Sequence, residues 1–94
     1  MVRVELDDIL FIEGLKNYVS IYTKTQRIVT LQVMKQLEEI LPPNRFVRVH
    51  KSFIVAIDKI NTIERQEILI KDRLIPIGNT YQEHFFKLLE TRKA

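Results

Sequence analysis

The sequence contains no cysteine. That absence excludes a disulfide scaffold, a thiolate metal site and a cysteine nucleophile together, and it is compatible with a reducing compartment. Long apolar runs are missing as well. Nothing approaches the roughly 20 residues of a membrane-spanning helix, and the opening MVRVELDD lacks the apolar stretch of a signal peptide. The expectation is a soluble, cytoplasmic chain with no membrane partner. Glycine occurs only at Gly14 and Gly78, each after a strand-like apolar run and neither within a GxGxxG or Walker pattern, so no glycine-rich phosphate loop is present. Histidine is scarce too: His50 and His84 are far apart, and QEHFF lacks the second histidine, four residues on, of a zinc helix. Neither Ser20 nor Ser52 has a nucleophile-elbow context. Asp7 and Asp8 are adjacent, so on a strand they would face opposite ways rather than converge on one substrate. These absences argue against an enzyme and predict no metal and no cofactor.

What is present is enough for a core. The 94 residues are 46% hydrophobic, which suits one domain spanning 1–94. Net charge is +3, from fifteen Lys and Arg against twelve Asp and Glu, an excess too mild to identify a partner. Its distribution is uneven. Acids gather at Glu5, Asp7, Asp8 and Glu13 and again at Glu38-Glu39, whereas Arg45 to Lys51 holds three cations, one histidine and no acid. On charge alone, these residues read as a solvated face.

Periodicity supplies the elements. VRVEL, ILFIE, YVSIYT, RIVT, FVRVH, FIVAI, INTIE, EILIK and LIPIG all read as short strands, with turns at Lys24–Gln26 and Lys71–Arg73. In FVRVH, Val47 and Val49 point one way and Phe46, Arg48 and His50 the other. Leu31, Met34, Leu37 and Leu41 recur at helical spacing after Thr30, a plausible N-cap, and Pro42-Pro43 ends that helix. Thr80 and Glu83 have capping-box spacing ahead of a second apolar stripe, Tyr81, Phe85, Leu88 and Leu89. The fold class expected is mainly β: small antiparallel sheets with two short α-helices.

Three polar breaks interrupt the apolar pattern: GLKNY (Gly14–Tyr18), HKS (His50–Ser52) and GNT (Gly78–Thr80). Each carries an amide, hydroxyl or cation of the kind that hydrogen-bonds phosphates and base edges. Turn chemistry accounts for each one singly: Gly14 would supply a positive φ, Ser52 a local bond, and Asn79-Thr80 a helix cap. Only a fold that carries all three to one edge would make them a surface.

The order of segments DILFIEGLKNYVSIYT, LEEILPP, RFVRVHKSFIVAIDKINTIE and LIPIGNTYQEHFFKLL resembles the LytTR DNA-binding domain, the output end of many bacterial two-component response regulators. The resemblance runs from about Asp8 to Leu89, and its most specific piece is the block around RVHKSFIV. It implies an elongated β fold whose inter-strand loops, rather than a recognition helix, enter successive major grooves. By position, the implied DNA-binding residues are Lys16, Asn17 and Tyr18; Arg48, His50, Lys51 and Ser52; and Asn79 and Thr80. His50 has two readings, packed inside or meeting DNA, and Arg48 meets either a phosphate or an acidic neighbour.

The chain departs from the family pattern at Ala56, where many relatives carry asparagine, and at Gly78-Asn79, where they carry serine-arginine. Asn79 lacks arginine's two-pronged donor for guanine, which suits it to adenine or to backbone contact. The resemblance further implies promoter DNA with paired repeats as partner. It implies a histidine kinase only indirectly, through a receiver domain absent from these residues, and a monomeric isolated domain that becomes dimeric on DNA at full length. It also implies that the family's first strand often begins earlier than MVRV. The competing class is a protein-interaction module whose basic loop edge binds an acidic partner. RNA binding fits less well, because the aromatics do not form a paired stacking platform.

Overall fold

Apolar runs without internal alternation, such as ILFI and FIVAI, need cover on both faces, and the fold provides it. The computed structural model describes residues 3–92. One sheet contains β1 (Ile9–Gly14), β2 (Val19–Thr23), β3 (Arg27–Thr30), β4 (Phe46–His50) and β5 (Phe53–Ala56), in the order β3-β2-β1-β5-β4. A second contains β6 (Thr62–Glu64), β7 (Glu67–Ile70) and β8 (Arg73–Pro76) in sequence order. All pairings are antiparallel. The helices are α1 (Met34–Ile40) and α2 (Gln82–Thr91).

Register assigns the faces. Phe11 pairs with Val55 and Val55 with Val47, so these three share one face of the larger sheet. They join a cluster with Ile68, Ile70, Ile75 and Ile77 of the smaller sheet region and Phe85 of α2. The next row, Ile12 with Ile54, faces the other way, into a cluster with Met34 and Leu37 of α1 and with Leu41. Phe46 and Val47 are therefore both buried, on opposite faces. The larger sheet is a wall between two cores. Among the described residues, no helix is long and apolar enough to cross a membrane.

Four expectations fail locally, each for a visible reason. The described part of VRVEL is not a strand: Arg3–Glu5 is irregular and Leu6–Asp8 forms a 3-10 turn closed by the Asp8 N–H donating to the Glu5 carbonyl at 3.0 Å. The alternation there records packing alone, since Val4 and Leu6 rest on the α1-side core without a strand partner. The expectation about the start of MVRV falls on Met1 and Val2, outside the described residues. Thr30 is not an N-cap, because it is still paired with Val19 in the β2–β3 ladder. Helix α1 therefore starts later, with Val33 at the N-cap and no side-chain cap, and Leu31 is left 83% exposed in the bend between them.

The Thr80–Glu83 capping box does not form either. Asn79–Tyr81 is a 3-10 turn closed by the Tyr81 N–H on the Gly78 carbonyl, which moves the N-cap of α2 to Tyr81. Finally, no glycine has a positive φ; Lys71 and Arg65 take that conformation instead, in the β7–β8 and β6–β7 turns. Gly14 serves packing. A Cβ there would lie 2.4 Å from Met34 Cγ, so glycine lets α1 sit directly against the end of β1.

Candidate nucleic-acid interface

Topology places the end of β1 beside the start of β5, because these strands are antiparallel neighbours in the larger sheet. At that end the chain turns three times. The first turn joins β1 to β2 and is closed by the Leu15 N–H donating to the Tyr18 carbonyl at 2.8 Å, which leaves Lys16 and Asn17 at the exposed tip. Tyr18 is also exposed.

The second turn, Lys51-Ser52, joins β4 to β5. It is anchored to the first by the Gly14 N–H, which donates to the Ser52 carbonyl at 2.7 Å. A register shift between Arg48 and His50 marks a bulge that re-aims the strand just before the turn. Lys51 projects outward and Ser52 is half-buried. The Ser52 N–H donates to His50 Nδ1 at 3.0 Å, and the His50 ring packs edge-on against Phe53 with centroids 5.7 Å apart. His50 is thus hydrogen-bonded and packed within the turn, half-buried, with Nδ1 as the acceptor.

The third segment docks on the free edge of β4. The Gly78 N–H donates to the Val49 carbonyl at 2.7 Å, which covers a strand edge that would otherwise stand open. A Cβ at Gly78 would meet Tyr81 Cδ2 at 3.1 Å and His50 Cδ2 at 3.5 Å, so this segment too approaches its neighbour closely. Asn79 and Thr80 follow at once and are exposed, with Gln82 Nε2 donating to Asn79 Oδ1 at 3.4 Å. The three polar breaks therefore form one row at one end of the larger sheet: Gly14–Tyr18, then Lys51-Ser52, then Gly78–Thr80.

Of the two partners considered for Arg48, the acidic neighbour is present. Arg48 Nη1 donates to Glu38 Oε1 of α1 at 3.0 Å, while Nη2 and Nε donate to the carbonyls of Lys51 and His50 at 2.6 and 3.3 Å. Arg45, also in the basic stretch, pairs with Asp7. Lys16 and Lys51 are thus the exposed cations at the row itself. Sequence reasoning missed Glu38, Met34 and Tyr81 as supports of these turns. Their pairings span segments distant in sequence, and only Gly14, as a glycine in a strand, hinted at a close approach. No cluster of His, Asp and Glu suited to a metal ion occurs among the described residues.

Residues 1–90 match the family described as the LytTr DNA-binding domain. The chain belongs to this family. Among curated relatives, it is 30% identical to a sensory transduction protein LytT of Bacillus cereus over 95% of this chain and 39% of that protein. It is 28% identical to the LytT of Bacillus subtilis over the same shares. The chain spans about 39% of the length of these relatives. In structure it is similar to a LytTr DNA-binding domain of a response regulator from Bacillus cereus, with a TM-score of 0.83, 22% identity, and coverage of 94% of this chain and 86% of that one. The elongated, mainly β LytTR fold expected from the sequence is the fold observed, with dimensions of 38 × 24 × 23 Å.

Proposed function

We propose that this LytTR domain binds double-stranded DNA sequence-specifically through the row formed by Gly14–Tyr18, Lys51-Ser52 and Gly78–Thr80, with the turns entering the major groove. The observation that supports this reading most directly is the pair of backbone bonds, Gly14 to Ser52 and Gly78 to Val49, joining the segments into one surface. Lys51 and Asn79 are assigned to base edges, with Thr80, Ser52 and Asn17 beside them. Lys16 is assigned to a phosphate, and Tyr18 to the sugar–phosphate wall. His50 supports the row by shaping the turn.

In a full-length regulator the domain acts as the transcription-regulating output of a phosphorelay. A receiver domain takes the signal from a histidine kinase and pairs two copies on repeated promoter sites, while the isolated domain is a monomer. Nothing in this role requires catalysis by the chain.

A gel-shift titration against a pool of randomised duplexes, followed by selection and sequencing, tests the reading. The expected result is an enriched motif whose binding weakens with salt, as phosphate contacts demand. A protein-interaction module would retain no duplex from the pool and would bind acidic peptide instead. Retention of duplex with no enriched motif would leave DNA binding without sequence reading.

A further inference from the structure

We infer that Arg48 is a positioning residue for DNA reading, oriented by Glu38 of α1, and that its guanidinium does not contact phosphate. The inference rests on the DNA-binding reading above and concerns how its central turn is held.

A guanidinium has five N–H donors in a fixed fork and no acceptor. In Arg48 all three nitrogens of the fork are engaged by the protein itself: Nη1 by Glu38, Nη2 by the Lys51 carbonyl, and Nε by the His50 carbonyl. Its plane is also near Tyr81, with Cζ 6.0 Å from the ring centroid. The side chain is only 18% exposed. Arg48 thus ties together α1, the turn that carries Lys51, and the segment that carries Asn79.

Glu38 needs an explanation on such a surface. A half-exposed carboxylate beside a DNA-binding edge repels phosphates, and its presence is costly unless it does something else. Holding Arg48 is that function. Glu38 also lies four residues after Met34, on the same helical face, and Met34 is the residue that packs against Gly14. One face of α1 therefore backs both the first turn and the second.

The sign of one substitution separates positioning from phosphate contact. Removing an acid near DNA should strengthen binding to all duplexes if charge alone matters. If Glu38 orients Arg48, Glu38→Ala should instead weaken binding to a selected duplex, by about tenfold, the scale of one hydrogen bond to a charged group. Affinity for a scrambled duplex should stay level or rise. Glu38→Gln keeps an acceptor oxygen and should recover part of the loss. Arg48→Lys keeps the charge but cannot fork, so it should resemble Glu38→Ala.

The experiment measures the affinity of the parent, these three variants and the uncharged Arg48→Gln for two duplexes across a salt series, with circular dichroism to confirm folding. One duplex is selected by the parent from a randomised pool and the other is its scramble. Selective loss with an unchanged salt slope supports the inference. Uniform tightening by Glu38→Ala, no change in any variant, or a fall of about 0.9 in the slope for Arg48→Gln overturns it. Should the parent select no duplex at all, the DNA-binding reading itself fails, which is a distinguishable result.

Discussion

Gly14→Ala isolates the close approach between α1 and the end of β1. Gly14 has no positive φ, so alanine fits its backbone, and on unfolded-state entropy alone the change should stabilise by about 0.4–1 kcal/mol. Against this, the new Cβ would sit 2.4 Å from Met34 Cγ and 3.0 Å from its Sδ. Met34 is buried in the α1-side core, and Cγ is not the free end of its side chain, so the helix or the rotamer must yield. Overpacking of this kind costs about 1–3 kcal/mol, leaving a net loss of roughly 1–2 kcal/mol. For a domain of this size that lowers Tm by roughly 5–15 °C. Urea titration and thermal melts of the parent, Gly14→Ala, Met34→Ala and the double variant form a cycle. Because Met34→Ala removes Cγ and Sδ, Gly14→Ala should cost little in that background, with a coupling of about 1 kcal/mol or more. An unchanged or raised midpoint for Gly14→Ala, or additive effects, would refute the packing role assigned to Gly14.

Gly78→Ala meets Tyr81 at 3.1 Å and His50 at 3.5 Å, so the same melts should show a smaller loss than Gly14→Ala. Lys51→Ala and Asn79→Ala should each flatten a selection profile at one position and cost about 1–3 kcal/mol on the preferred site. Lys16→Ala should leave the profile's shape intact and reduce the salt slope by about 0.9 in gel-shift titrations. His50→Phe keeps a ring beside Phe53 but removes the acceptor for the Ser52 N–H, so affinity for a selected duplex should fall more than affinity for its scramble. Equal losses on the two duplexes would assign His50 a general packing role only.

The β architecture was legible because burial on one or two faces leaves a direct mark on the apolar pattern. ILFIE, YVSIYT and FVRVH became β1, β2 and β4 with little displacement. Signals from single residues travelled less well. Thr30 and Thr80 look like caps in isolation, but strand pairing holds the first and a 3-10 turn displaces the cap beyond the second. The alternation in VRVEL describes two side chains, Val4 and Leu6, resting on a core, which a strandless segment can also do.

At the candidate site, the three polar breaks could be identified along the chain, but their juxtaposition could not. It depends on the Gly14–Ser52 and Gly78–Val49 bonds between segments 38 and 29 residues apart by subtraction of their numbers. Arg48 could be narrowed to two partners. Choosing Glu38 required knowing that α1 lies beside the β4–β5 turn, a tertiary placement that the Met34, Leu37 and Leu41 stripe does not give even though it identifies the buried face.

The central claim is that the three-turn row meets DNA. The most direct measurement is an NMR titration of the 15N-labelled domain with a duplex selected from the randomised pool, following each backbone amide. The largest shifts are expected at Lys16–Tyr18, Lys51-Ser52 and Asn79-Thr80, with smaller changes at the Lys24–Gln26 and Lys71-Asp72 turns. Shifts concentrated at those latter turns or along the outer face of α2, with the row unmoved, would contradict it.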